Sequence, residues 1–275
     1  YRRRVGPRTV VLLTVTALLL GLALALLTRP DAAPAVTATP QPSVTATPGS
    51  TSSLPAKVQA VVYYVGRSDG LLFRETRGLP SSENLVGAVV EAVLSLAPLD
   101  PDYKTAWGPG QLIGAEEADG TIVVDLTAEA YSDIDGARQA AQARSQVIYS
   151  LVALLKQPDL RVRFLMEGGP PPEEFRNPNG FGARGLTPVT PVMVTAPRNG
   201  AKFPVGEVVI TGLVQPGVGS PYIRVTDIDS EAVIVDVEAT VSSTPDDDGW
   251  HAWSAEVSLG AGNYDIFFFN DTAAT

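Results

Sequence analysis

Cysteine is absent from all 275 residues, and histidine occurs once, at His251. The first absence excludes disulfides, thiolate metal sites, cysteine nucleophiles and a lipid-modified N-terminal cysteine. The second excludes histidine-based metal clusters and leaves His251 alone to carry any imidazole acid–base chemistry. No G-x-S-x-G elbow, Walker loop or dinucleotide fingerprint is present. The glycines of GFGARG (Gly180–Gly185) stand in a loop without the strand–turn–helix setting that a phosphate cradle needs.

Positive charge is scarce outside the N-terminus. The first 30 residues hold Arg2, Arg3, Arg4, Arg8 and Arg29 and no acid, so the formal −10 of the whole chain becomes −15 for residues 31–275. Such an acidic exterior repels phosphate backbones, and nucleic acid is not expected as a partner.

The one long apolar run is VVLLTVTALLLGLALALL, Val10–Leu27, which has no charge. As a helix it would extend roughly 27 Å, close to the hydrocarbon thickness of a bilayer. Four arginines precede it, which places residues 1–9 in the cytoplasm and everything after Leu27 outside. The competing reading is a cleaved export signal ending near Ala33-Pro34-Ala35, which would give a secreted product. The run exceeds an ordinary signal core in length, which favours a retained membrane anchor over 10–27. Residues 28–56 are rich in Pro, Thr and Ala and too poor in apolar surface to repay ordering, and they read as a disordered spacer.

From Lys57 onward the pattern becomes periodic. VQAVVYYVG and LLFRETRGLP predict a hairpin about Ser68-Asp69-Gly70. A helix capped by Ser81 or Ser82 should run to about Leu96, with Val86, Val89, Val90 and Val93 as its apolar stripe and Pro98 as its stop. Two short strands follow about Asp119-Gly120, then a helix from about Gly136 to Lys156 and a closing strand over 160–169. The expected unit, 57–169, is an α+β domain with two helices on one small sheet. Residues 170–191 read as a Gly/Pro linker, and 192–271 as an all-β sandwich with strands in EVVITGLV, PYIRVTDI, AVIVDVEATV, WHAWSAEVSL and NYDIFFF. The linker's lack of apolar periodicity leads us to expect that the two domains fold separately.

Candidate chemistry is thin. Asp246, Asp247 and Asp248 read as a solvated hairpin turn, or as a weak calcium loop lacking EF-hand spacing. Glu116, Glu117 and Asp125 would need a groove to act as paired acids. His251 is expected on the strand face away from the sandwich core. Tyr63, Tyr64, Trp107 and Phe181 suit core packing or loop pinning as readily as an interface. Arg161, Arg163 and Leu165 alternate outward on the closing strand, and Glu75 and Arg77 are expected to do likewise on an early one. These five residues are the candidate contact surface.

Several of these segments carry a family likeness. VVYYV (Val61–Val65), ETR (Glu75–Arg77), TIVVDLT (Thr121–Thr127), VIYSLVALL (Val147–Leu155) and VRFLMEG (Val162–Gly168) together resemble the GerM-type (GerMN) domain of sporulation and germination proteins over residues 58–169. Ala97-Pro98 stands where members tend to have Gly-Pro. VTAPRNGAKF (Val194–Phe203), VVITGLVQPG (Val208–Gly217), WSAEVSL and YDIFFF resemble the immunoglobulin-like domain of bacterial spore germination that often follows it. The resemblance implies a fold like the ring-building modules of secretion and sporulation complexes, without catalytic residues, cofactors or metals. It does not require a sporulating host, since envelope proteins of non-sporulating Gram-positive bacteria are similar. The expected protein is a membrane-tethered, extracytoplasmic, non-enzymatic envelope component whose partners are other envelope proteins or itself. A binding module for a cell-wall polymer or small envelope ligand is the alternative, and a carboxylate-dependent glycan hydrolase stands behind it.

Overall fold

Alternation of apolar and polar residues gives way to helical spacing twice before residue 160 and never after it, and the architecture follows that change. The computed structural model describes residues 57–118, 120–183 and 186–270. The basic tail at 1–9, the apolar run at 10–27 and the spacer at 28–56 lie outside them. Among the described residues no helix is long and apolar enough to cross a membrane.

Strands β1 (Lys57–Gly66) and β2 (Leu72–Pro80) form the expected hairpin, and the two-residue β3 (Tyr103–Lys104) joins the end of β1. Helix α1 (Leu85–Ser95) begins one turn later than Ser81 or Ser82 would set it. Its cap is Asn84, whose Oδ1 accepts from the Gly87 N–H at 2.8 Å. The Asn84 amide also donates to the Ala115 carbonyl at 3.0 Å. A serine cannot reach both, so the bifunctional side chain wins the position.

The anticipated single sheet is two. β4 (Leu112–Ala118), β5 (Thr121–Leu126) and β6 (Arg161–Met166) form a separate three-stranded sheet in the order β4-β5-β6, with β5 and β6 parallel. The crossover between those parallel strands contains helix α2 (Gly136–Leu155).

Helix α2 explains how the first sheet keeps an open side. β1 pairs with β2 along its length, but on its other edge it meets only β3, at Val65 and Gly66. An exposed strand edge invites foreign pairing. Here Ser150 and Gln146, four residues apart on α2, take its place. The Tyr63 N–H donates to Ser150 Oγ at 3.0 Å, and Gln146 Nε2 donates to the Tyr63 carbonyl at 2.9 Å. The next polar residue on that helix face, Gln142, donates to the Gly70 carbonyl at 3.0 Å. The apolar residues Ala140, Ala143, Val147, Ile148 and Leu151 of the same helix are fully buried.

The segment expected as a plain linker packs on this core. A 3-10 turn at Glu173–Phe175 puts Phe175 among Trp107, Tyr131 and Phe164, with ring centroids 5.0–5.5 Å away. The Leu72 N–H then donates to the Pro188 carbonyl and the Thr190 N–H to the Leu72 carbonyl, extending the β2 edge.

The remaining strands are β7 (Val192–Ala196), β8 (Gly206–Val214), β9 (Pro221–Asp227), β10 (Val233–Glu238), β11 (Thr240–Pro245), β12 (His251–Leu259) and β13 (Tyr264–Asn270). They form a four-stranded sheet, β11-β12-β8-β7, and a three-stranded one, β10-β9-β13. The two share one core around Ile210, Ile223, Val225, Trp253 and Val257. The segment read as one strand, AVIVDVEATV, is two. It leaves one sheet for the other at Ala239, which is buried and donates its N–H to the Pro221 carbonyl at 2.9 Å. Gly212 is required beneath Trp253, because a Cβ there would lie 2.0 Å from the Met193 carbonyl and 2.2 Å from the indole.

Candidate functional site

Strand register places Arg161, Arg163 and Leu165 opposite Thr121, Val123 and Asp125, so these six share one face of the β4-β5-β6 sheet. Ala118, Glu116 and Gly114 of β4 complete its rows. The opposite face carries Ile122, Val124, Leu126, Val162 and Phe164, all buried in the core. Three members of the outer face are anchored. Arg161 donates to the Gly180 carbonyl at 3.2 Å, and the Leu165 carbonyl accepts from the Tyr131 hydroxyl at 2.8 Å. Asp125 receives the Gly168 N–H on its carboxylate at 2.9 and 3.0 Å. Arg163 is exposed at the centre. Its row reads Glu116, Val123, Arg163: an acid, a buried apolar residue and a base across three strands. Ile113, 53% exposed, adds a bare aliphatic side chain to the edge strand β4.

Glu75 and Arg77 do not join this face. They belong to the other sheet and lie inward, contrary to the outward alternation expected of them. Glu75 is 9% exposed and accepts from the N–H groups of Leu99 and Asp100 at 2.9–3.0 Å. Arg77 pairs with Glu75 at 2.8 Å, donates to the Ala97 carbonyl and lies over the Tyr64 ring. The two charges hold the loop after α1 against β2. A strand pattern reports the side a residue takes, and it is blind to a neighbour that makes an inward charge tolerable. Tyr63 and Tyr64 are buried too, and burial pushes each hydroxyl up to about 12.

Asp246 and Asp247 of the acidic turn are exposed, as expected of a hairpin tip, but the turn also has a partner that the sequence did not show. Asp246 Oδ1 accepts from the Asp248 and Trp250 N–H groups at 2.9 Å each, which folds the turn on itself. Its outer oxygens then face Arg74 of β2. Arg74 Nη2 lies 2.8 Å from Asp248 Oδ2 and Nη1 lies 3.0 Å from Asp246 Oδ2, while the Arg74 side chain is only 5% exposed. Lys156, just past α2, pairs with the second Asp248 oxygen. The guanidinium also stands 5.5 Å from the Trp250 ring centroid, and Trp250 is buried in the core cluster of the N-terminal α+β region. Among the described residues no group of three or more acids or histidines is placed to hold a metal.

His251 follows Trp250 and begins β12. It stands two positions before Trp253, with Ala252 between them, so the pleat puts both on the same side, not on opposite sides as expected. Its position at the strand end leaves it half-buried, with Nδ1 2.9 Å from the Ser242 carbonyl. Sequence reasoning missed Arg74 and the Gln146–Ser150 pair. Polar residues spaced by four inside the buried stripe of α2 were the available signal for the second.

Residues 61–171 match the family model described as Germane: Sporulation and spore germination. Among solved structures, the chain is similar to the tandem GerMN domains of the sporulation protein GerM from Bacillus subtilis, at 12% identity and a TM-score of 0.40, over 75% of this chain and 62% of that one. The first GerMN domain of the same protein gives 17% identity and a TM-score of 0.35, over 48% of this chain and 94% of that one. A putative lipoprotein from Clostridium perfringens gives 11% identity and a TM-score of 0.28, over 42% and 77%. The chain thus spans less than two thirds of the tandem structure. No curated protein matches it.

Proposed function

We propose, starting from a chain whose residues 61–171 form a GerM-type sporulation and germination domain, that it is an extracytoplasmic envelope protein acting by contact rather than by chemistry. In this reading residues 10–27 tether it to the membrane and 28–56 hold it at a distance. The seven-stranded region from 192 is an immunoglobulin-like sandwich, and 57–169 is the contact module. The partner is a second copy of the same domain, meeting it through the outer face of β4-β5-β6.

The observation that carries this reading is the row Glu116–Val123–Arg163. A two-fold axis through Val123 sets Glu116 of one copy opposite Arg163 of the other, twice, about a shared apolar centre. Mixed, partly charged faces suit weak contacts that a membrane makes effective by concentrating the partners. Cross-linking the full chain in membranes tests it. Arg163→Glu combined with Leu165→Asp, at an exposed and a half-buried position, should abolish the cross-linked dimer while leaving the melting point within a few degrees. Glu116→Arg should weaken the dimer too, and Glu116→Arg with Arg163→Glu should restore it, because the swap preserves the cross-copy pairing. A swap that binds no better than either single change refutes the two-fold arrangement.

A further inference from the structure

A second site stands at the other end of α2, independent of the contact face. A cleft of about 200 Å³ opens between the end of β1, the turn after it, β3 and the first turns of α2. Three of its lining residues are cations from three different elements: Arg67 from the turn, Lys104 from β3 and Arg138 from α2. Among the described residues none of the three forms an ion pair with a carboxylate. This gathering is unusual in a chain whose residues after 30 carry a formal −15.

The lining is held in place by bonds that leave its outer donors uncommitted. Arg67 is fixed at both ends of its stem, its N–H donating to the Asp102 carbonyl at 2.9 Å and its Nε to the Pro101 carbonyl at 3.0 Å. Gln142 is tied to the Gly70 carbonyl, and Arg138 Nη2 lies close above the same glycine, whose φ of +69° folds the turn toward the helix. Gln139 receives the Asp135 N–H on Oε1 at 2.8 Å, which leaves its amide N–H₂ group for the cleft. Ser68 is exposed at the rim. Three acids lie nearby, Asp69, Asp102 and Asp135, and none of them lines the cleft. Asp69 packs beside Gly66 with Oδ1 accepting the Leu71 N–H at 2.8 Å and Oδ2 buried beneath the turn. The Asp102 carboxylate accepts from Asn199 Nδ2 at 2.7 Å, so the lining itself carries three cations and no acid.

We infer that this cleft binds a phosphate group. Two guanidiniums and an ammonium approaching from separate elements suit a tetrahedral anion with several oxygens, whereas a lone carboxylate is matched by one guanidinium fork. Amide and hydroxyl donors from Gln139 and Ser68 complete a shell of hydrogen-bond donors. The acidic surroundings disfavour a long polyanion lying across the surface. The ligand is therefore a single phosphate, free or at the end of a lipid headgroup.

Thermal melts and ³¹P line broadening of the full chain, titrated with inorganic phosphate and with glycerol 3-phosphate, test the inference against sodium chloride at matched ionic strength. Saturable stabilisation and broadening by phosphate, beyond the chloride control, are expected. Arg138→Gln and Arg67→Gln should each weaken binding about tenfold or more, since each removes a charged hydrogen-bond donor. Lys202→Gln, which removes an exposed cation belonging to neither site, should leave phosphate binding unchanged. Comparable affinity for the two probes identifies free phosphate as the ligand. Much tighter binding of glycerol 3-phosphate identifies the headgroup, and either result supports the site. Stabilisation no greater than the chloride control, or equal in wild type and both arginine variants, overturns it.

Discussion

Replacing Asp246 and Asp248 together by asparagine should destabilise the chain far more than their place in a surface hairpin suggests. Asparagine at 246 keeps the carbonyl that folds the turn, so the change removes charge and leaves the turn's own bonds. What it strands is Arg74, with a side chain 5% exposed and both carboxylate partners gone. Breaking a fully enclosed ion pair from one side costs about 3–5 kcal/mol. Asp246 is 36% exposed and admits some water, so a loss of about 2–4 kcal/mol is expected. For a folded unit of this size that lowers the melting temperature by roughly 5–15 °C. The assay is urea and thermal unfolding of the full chain followed by tryptophan fluorescence, to which Trp250 contributes directly. Adding Arg74→Met to the double variant removes the stranded charge and leaves an apolar stem against Trp250, so at least about half of the loss should return. Lys156→Gln touches the same Asp248, but the lysine is 52% exposed and the expected change is under about 1 kcal/mol. A double variant within about 1 kcal/mol of wild type, or a triple variant that recovers nothing, would refute the clasp as a source of stability.

Gln146→Leu should cost about 2–4 kcal/mol in urea unfolding, since it leaves the Ala106 N–H and the Tyr63 carbonyl buried without their partners; a loss under about 0.5 kcal/mol would show that another group serves that strand edge. Raising the pH should destabilise the fold from about 10, where unfolded tyrosine ionises, towards about 12, where folded Tyr63 and Tyr64 do. In that window the folded state holds more protons than the unfolded one, so stability is complete below it and falls as pH rises. The double variant Tyr63→Phe with Tyr64→Phe should flatten this slope in denaturant melts across the window.

Much of the first region was legible in the sequence because helix and strand periods are local. The extent of α2, from Gly136 to a stop at Lys156, which takes φ +56°, is the one its helical period predicts. The Germane match over 61–171 agrees with the resemblance stated for 58–169. Of the seven strands after 191, β8, β9, β12 and β13 follow from alternation and turn residues, whereas β7 and the sheet change at Ala239 that divides β10 from β11 do not.

What the sequence by itself determined is therefore which residues form helices and strands, and which side of each most of them take. Period 2 and period 3.6 are properties of the backbone, and a run of ten residues displays them. Only the tertiary structure decided what each charge faces. Glu75 and Arg77 turned inward because they meet each other and the 97–100 loop, while Asp246 and Asp248 close on Arg74, more than 170 residues earlier in the chain. Arg67, Lys104 and Arg138 gather around one cleft from three separate elements. A charge is tolerated, spent or left available according to the dielectric and the partner around it, and both are set by chain folding over distances that no local pattern encodes.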